Sequence, residues 1–285
     1  MKKVLVILLV AFMTCVGSQA MAASYADIAF VIDQSGSMGD EFQWLSSSIG
    51  AIDTAITGDP DVTDVNYGVA GYEYYAGNDP LETYYTNAWQ DITSDISLVV
   101  SQLDAITDAD YSNGYLYGGT ERGYQAVDWA ADNFTWTGGD YAKVMVLITD
   151  EPNDYRDNYS YNGLFGEEAL AAKMADENIL LNVITYEDYY GNNYFQYWDD
   201  IAYANTDTGF LGLFDLAYLQ SDPAGFTADF TEAKLAEIII VDPTEPVPEP
   251  STIILLGGGL IGSIGLIRLV DLITQAKMNK NKQNQ

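Results

Sequence analysis

Short apolar runs alternate along this chain with longer stretches whose apolar positions recur at helical spacing, the pattern of an α/β domain. Asp27–Ile32 reads as a first strand and Glu41–Ile56 as the helix after it. Val65–Tyr75 and Glu82–Trp89 read as a strand pair, joined by Gly77-Asn78-Asp79-Pro80, a turn by composition. Helices are predicted over Ser94–Ile106 and Glu121–Asn133, the second from the spacing of Ala126, Val127, Ala130 and Ala131. A strand at Lys143–Thr149, a helix at Gly166–Glu177 and a strand at Leu180–Thr185 follow. A short helix at Trp198–Ala204, a strand at Phe210–Phe214 and a closing helix at Thr227–Ile240 complete the series. No internal repeat is visible, and about 218 residues in one such alternation can bury a single core.

The two ends have different patterns. Lys2 and Lys3 precede an apolar stretch from Val4 to Val16 and then Ala20-Met21-Ala22, so residues 1–23 read as a helical secretory signal peptide with an A-x-A cleavage site. Residues 24–241 form the domain. Residues 242–250 hold four prolines and read as a stiff polyproline II linker rising about 3.1 Å per residue. Ile253 to Ile267 is apolar apart from Gly and Ser, shorter than the ~20 residues a span needs. Ser251, Thr252, Leu269 and Val270 extend it while Arg268 snorkels, so 251–270 is expected to be a transmembrane helix. Gly258-Gly259-Leu260-Ile261-Gly262 within it has the GxxxG spacing of packed helices. Lys277, Lys280 and Lys282 make 271–285 a basic tail, which places it on the cytoplasmic side.

Composition narrows the chemistry. The only cysteine, Cys15, lies in the signal segment and there is no histidine, which excludes thiol nucleophiles, disulfide scaffolds, Cys/His zinc sites and histidine-based triads. The chain carries a net charge of −31. Between residues 24 and 241 the basic side chains are Arg122, Lys143, Arg156, Lys173 and Lys234 alone. Such a surface repels nucleic acid and anionic membranes and keeps an exported protein soluble.

Asp33-Gln34-Ser35-Gly36-Ser37 follows the first apolar run, so a carboxylate and two hydroxyls spaced two apart stand where a buried strand gives way to a loop. Alternation along an extended loop turns Asp33, Ser35 and Ser37 to one side. Asp and Ser are also turn and cap residues, so the pentapeptide alone reads equally as a capped turn. Three oxygens leave a hard divalent cation short of its six or more ligands, and partners must come from elsewhere. Thr120, in Gly118-Gly119-Thr120-Glu121-Arg122-Gly123, stands where a helix begins. Asp150 ends the apolar run Val144–Thr149.

Together Asp33, Ser35, Ser37, Thr120 and Asp150 match the metal-ion-dependent adhesion site (MIDAS) of von Willebrand factor type A (VWA) domains, and the chain resembles that family over Ala26 to Val241. The resemblance implies a doubly wound, mostly parallel, Rossmann-like sheet flanked by helices, with one antiparallel edge strand. It implies that the two serines and the threonine touch a divalent cation, that the aspartates act largely through water, and that one position stays open for a ligand carboxylate. Mg2+ is the expected ion, with Ca2+ and Mn2+ as alternatives. Many members carry glycine after the last aspartate. Here Glu151-Pro152-Asn153-Asp154 follows, making Glu151 an accessory ligand candidate that favours the looser geometry of Ca2+.

Val247-Pro248-Glu249-Pro250-Ser251-Thr252, followed by a glycine-rich apolar stretch and a basic tail, resembles the PEP-CTERM sorting signal of Gram-negative bacteria that make exopolysaccharide. It implies export across the inner membrane, recognition of the Pro-Glu-Pro segment by an exosortase and at least transient anchoring in the envelope. The tail departs from the pattern, because Arg268 stands alone and Asp271 follows it.

Ligands of doubly wound sheets bind outside the carboxyl ends of the strands. Tyr155, Tyr159 and Tyr161 after Asp150, and Tyr186, Tyr189, Tyr190, Tyr194, Phe195 and Tyr197 after the Leu180–Thr185 strand, are therefore expected to rim the metal-bearing face. Aromatic loops suit a polysaccharide or protein partner; local packing under long loops is the other reading. Tyr67, Tyr72, Tyr74, Tyr84 and Tyr85 are assigned to the strand pair. The expected function is an exported, envelope-attached binding or adhesion module. The alternative is a structural matrix or surface protein whose metal only stiffens the fold. Ser37 lacks the glycine two residues before it and any histidine base, so no enzyme is expected.

Overall fold

The computed structural model describes residues 24–34, 38–72, 89–113, 122–139, 141–151, 158–202, 204–205 and 210–240. Its first strand, β1 (Ser24–Asp33), is followed by α1 (Gly39–Thr57), β2 (Val62–Tyr72), β3 (Trp89–Thr93), α2 (Ile96–Asn113) and α3 (Gly123–Asn133). Next come β4 (Tyr141–Ile148), the short strands β5 (Ser160–Tyr161) and β6 (Leu164–Phe165), α4 (Gly166–Glu177) and β7 (Ile179–Thr185). The chain closes with β8 (Ala204–Asn205), β9 (Phe210–Leu211), β10 (Leu213–Asp215), α5 (Leu216–Ser221) and α6 (Pro223–Ile240).

Six strands form one sheet in the order β10-β7-β4-β1-β2-β3, parallel throughout except for the β3 edge. The central strands are continuous apolar runs because helices cover both faces. On one face Ile28, Phe30 and Ile32 of β1 pack with Phe42, Leu45 and Ile49 of α1, Leu103 of α2, and Phe226 and Phe230 of α6. On the other, Ala29 and Val31 pack with Tyr124 and Val127 of α3 and Leu170 and Met174 of α4. Each such side chain, fully buried, stabilises the fold by about 1.5–3 kcal/mol before entropy is counted.

Local chemistry sets the boundaries. Helix α4 ends on Asn178 in the left-handed conformation, with φ of 54°. The β5–β6 hairpin turns on Asn162-Gly163, where φ values of 50° and 85° are those of the tight two-residue turn that Asn-Gly favours.

Several elements differ from the sequence expectation. The strand expected at Glu82–Trp89 lies, apart from Trp89, outside the described residues; β3 begins at Trp89, paired with Ala70 of β2. The helix expected at Trp198–Ala204 is instead a 3₁₀ turn at Phe195–Tyr197, because Trp198 is fully buried against Tyr124 at 4.9 Å between ring centroids. Phe210–Phe214 is broken at Gly212, whose carbonyl accepts from the Val183 N–H at 2.7 Å, so β9 and β10 belong to different sheets. The expected signal and transmembrane helices, the linker, Tyr74, Tyr84 and Tyr85 lie outside the described residues. Among the described residues no helix is long and apolar enough to cross a membrane.

Candidate metal centre

After β1 the chain runs outward through β2 to β3, then returns to β4 on the other side of β1. The carboxyl ends of β1 and β4 therefore flank the topological switch point, the position where such sheets bind ligands. Ile32 pairs with Ile148, so Asp33 stands level with Thr149 and Asp150 one step beyond. The strands end on the same edge of the sheet, with Asp33 after one and Asp150 after the other.

Asp33 is fully buried, and its Oδ2 accepts from the Thr149 hydroxyl at 3.2 Å. Backbone bonds hold both strand ends, from the Gln34 N–H to the Tyr72 carbonyl at 2.8 Å and from the Thr149 N–H to the Ile184 carbonyl at 3.0 Å. The Thr149 hydroxyl also lies 3.3 Å from the Glu151 carbonyl, tying the start of the Asp150–Glu151 loop to Asp33.

A buried acid that the sequence reading missed lies within reach of Asp150's charge. Glu41, in the first turn of α1, is 1% exposed; its Oε1 accepts from Gln220 Nε2 at 2.9 Å, and its Oε2 is buried with no hydrogen-bond partner. Burial pushes its carboxyl above the ordinary range, and the charges of Asp150 and Asp40 add to the rise. An acid three residues into a helix ordinarily signals a solvated first turn, and only the packing of α5 over α1 reveals this one as buried.

Ser35, Ser37 and Thr120 lie outside the described residues. Among the described residues no three Asp, Glu, His or Cys side chains group closely enough to hold a metal by themselves. The oxygen-only donors fit a hard divalent cation, and a buried carboxylate oxygen without a donor is what a cation would relieve.

The tyrosines divide. Tyr159 is buried, its hydroxyl on Asp128 at 2.8 Å and its ring against Tyr124, and Tyr161 donates to Asp176 of α4 at 3.0 Å. Both pack locally under their hairpin and are not part of a rim. Tyr155 lies outside the described residues. The loop after β7 is different. Tyr186 stacks on Tyr189 with centroids 4.5 Å apart and planes 16° from parallel, and Tyr190 meets Tyr189 edge-on at the same separation. The turn Tyr190-Gly191 has φ values of 53° and 83° and is closed by reciprocal backbone bonds between Tyr189 and Asn192. Tyr190 is thereby held 89% exposed. The cluster adjoins the acids: partial burial raises the Tyr194 hydroxyl pKa and the Glu151 and Asp150 charges raise it further, while the Tyr186 hydroxyl donates to Gln220 Oε1 at 3.1 Å, the same amide that holds Glu41.

A mostly parallel, doubly wound sheet with two aspartates at the strand ends flanking its switch point is the architecture of an open α/β domain. Its family is shown directly: residues 27–210 match the von Willebrand factor type A domain, and the chain belongs to that family. Residues 246–268 match the PEP-CTERM protein-sorting motif. Among solved structures, the chain is similar to the pilus adhesin SpaC of Lactobacillus rhamnosus GG in its open conformation, at 16% identity and a TM-score of 0.47, over 76% of this chain and 30% of that one. It is also similar to proximal thread matrix protein 1 of the mussel byssus, solved with a zinc-occupied MIDAS motif, at 13% identity and a TM-score of 0.47, over 75% of this chain and 48% of that one. The chain thus spans less than half the length of either. No functionally curated protein matches it.

Proposed function

We propose that this protein is an exported, envelope-associated binding module in which Asp33, Ser35, Ser37, Thr120 and Asp150 hold a divalent cation that a partner's carboxylate completes. The observation that carries this reading is the pairing of β1 with β4, which brings the strand that ends on buried Asp33 beside the strand that leads to Asp150 at the switch point, with Asp150's charge felt by buried Glu41. A bound cation would supply a Lewis-acidic position for an anionic oxygen. The chain's own residues do the rest. Thr149 orients Asp33, and Gln220 holds Glu41 on one side and Tyr186 on the other, so the acidic crevice and the tyrosine cluster keep a fixed relation. Glu151 is an accessory oxygen that favours Ca2+ over the Mg2+ expected otherwise, and Mn2+ belongs to the same class of hard cation. The exposed tyrosines offer the contact surface for a protein or polysaccharide partner. The Pro-Glu-Pro segment at Val247, Pro248, Glu249 and Pro250 fits processing by an exosortase and contact with the inner membrane during export.

Calorimetric titration of the exported protein with Mg2+, Ca2+ and Mn2+, paired with capture of envelope material with and without EDTA, tests the proposal. Cation binding that Asp33→Ala abolishes, with EDTA-sensitive capture, is the expected result. No cation binding overturns it. Cation binding with EDTA-insensitive capture favours the second reading, a structural matrix protein whose metal stiffens the junction of β1, β4 and α1; the burial of Asp33 and Glu41 at that junction is what speaks for it.

A further inference from the structure

Between β7 and α6 lies a second polar group that the binding reading does not use. Lys234 of α6 is 0% exposed, and its Nζ sits 5.1 Å from the Phe214 ring centroid and 5.3 Å from that of Phe230. Nζ donates to Glu237 Oε1 at 2.7 Å. The other oxygen of the same carboxylate, Oε2, accepts from Asn182 Nδ2 of β7 at 3.1 Å. Asn182 is 0% and Glu237 1% exposed, and Asn182 Oδ1 is buried with no hydrogen-bond partner. An amine and a carboxamide are thus bridged by one carboxylate, buried beside two aromatic rings.

A buried ion pair needs no amide, and an amide placed only to satisfy the carboxylate has no reason to strand its carbonyl. Burial lowers Lys234 to about 8 and raises Glu237, which brings the neutral amine and the carboxylic acid within reach of one another. A desolvated lysine of this kind is a nucleophile. A half-turn of the Asn182 amide brings Oδ1 to Glu237, where the acid's proton polarises the carbonyl.

The geometry points to an autocatalytic cross-linking site, in which Glu237 joins Lys234 Nζ to Asn182 Cγ and fastens α6 to β7 by an intramolecular amide bond. The Nζ lone pair forms the new C–N bond while the carbonyl pair moves to Oδ1 under the Glu237 proton. Glu237 then takes a proton from Nζ and passes it to Nδ2, the Cγ–Nδ2 bond breaks and ammonia leaves. Amine plus carboxamide gives secondary amide plus ammonia, with nothing oxidised or reduced and no co-reactant required. Nζ and the amide are held on one carboxylate, so the step is unimolecular and gains from proximity. The product ties the last helix, next in the chain to the proline-rich segment and sorting motif, to the central sheet.

Digestion of the denatured full chain after glutamate, followed by mass spectrometry, tests this. Cleavage at Glu177, Glu187, Glu232 and Glu237 separates residues 178–187, which contain Asn182, from residues 233–237, which contain Lys234. The expected product is one branched peptide lighter than the two linear peptides by one ammonia, with fragmentation placing the bond at Asn182 and Lys234. Glu237→Gln, which keeps the shape of the side chain, and Lys234→Met are expected to give only linear peptides while retaining helical and strand circular dichroism. Two linear peptides from the wild-type protein overturn the proposal and leave a buried ion pair. A branched peptide surviving in Glu237→Gln overturns the role of Glu237. Cation binding is measured on the same samples, so the failure of the crevice reading and of this one are told apart.

Discussion

Asp27 and Asp33 stand near opposite ends of β1, and both are 0% exposed. At the amino end, Asp27 accepts from Asn66 Nδ2 at 2.9 Å, from the Thr137 N–H at 2.5 Å and from the Thr137 hydroxyl at 3.1 Å. Those donors come from β2 and from the segment after α3, so the carboxylate fastens a loop to the sheet. At the carboxyl end, Asp33 is bound by Thr149, and Asp150 follows the neighbouring strand, where its charge is felt by Glu41. Burial of a carboxylate therefore does not by itself mark a site. What distinguishes the two ends is position: Asp27 fastens a loop at the amino edge of the sheet, and Asp33 ends its strand at the carboxyl edge, beside the strand that leads to Asp150.

The contrast is sharpest on truncation. Asp27→Ala leaves an amide, a backbone N–H and a hydroxyl buried without their acceptor, and is expected to lower stability by about 3 kcal/mol in urea unfolding with EDTA present. Asp33→Ala, titrated with Mg2+ in the absence of EDTA, is expected to lose the heat of binding, which Asp27→Ala retains. Loss of that heat in Asp27→Ala as well would dissolve the comparison.

Next in size is the response to the cation. At one hundred times the dissociation constant, a site present only in the folded state adds about 2.7 kcal/mol. A domain of this size gains roughly 2–4 °C per kcal/mol. The wild-type protein and Asp27→Ala are both expected to melt higher on adding Mg2+, and Asp33→Ala to show no shift. A full shift in Asp33→Ala would move the site elsewhere.

How far each end of β1 could be read from the sequence follows from its chemistry. The order of elements was visible because buried parallel strands are unbroken apolar runs, as in Phe30–Ile32, Val144–Ile148 and Leu180–Ile184. The short edge strand β3, with the polar sequence Trp89-Gln90-Asp91-Ile92-Thr93, has no such run and takes its place from β2. Asp33 and Asp150 announced themselves by standing at strand ends. Asp27, at the start of its run, looked like ordinary strand punctuation, since Asn66 and Thr137 are far off in sequence. Glu41 and the Lys234–Glu237–Asn182 group were hidden for the same reason: Lys and Glu three apart on a helix resemble a surface pair, and only the fold closes β7 over them.

The tyrosine cluster tests the carboxyl end from its rim. Tyr190 is almost wholly exposed, so Tyr190→Ala is expected to change stability by no more than about 0.5 kcal/mol. Its Mg2+ heat should match the wild type while capture of the envelope partner weakens. Unaltered capture would confine the partner to the cation and remove the tyrosines from the interface.

The smallest effect is at the amino end and concerns protons. Burial raises the Asp27 carboxyl above its ordinary 3.8, although hydrogen bonds from Asn66 and Thr137 and the charge of Lys143 all oppose the rise. A carboxyl with a raised folded-state pKa takes up its proton on folding. The stabilisation from that proton is complete below 3.8 and is lost as pH rises through the folded value. Asp27→Asn resembles the protonated carboxyl and cannot titrate. In EDTA, the stability of wild type relative to Asp27→Asn is therefore expected to fall as pH rises from the acid side through the folded pKa, and to stay flat from there to neutrality. Because the hydrogen bonds and Lys143 oppose the burial, the slope is expected to be shallow, and it should be the same in an Asp33→Ala background. A slope that changed in that background would mean the two ends of β1 communicate, and that the amino-end aspartate belongs to the site after all.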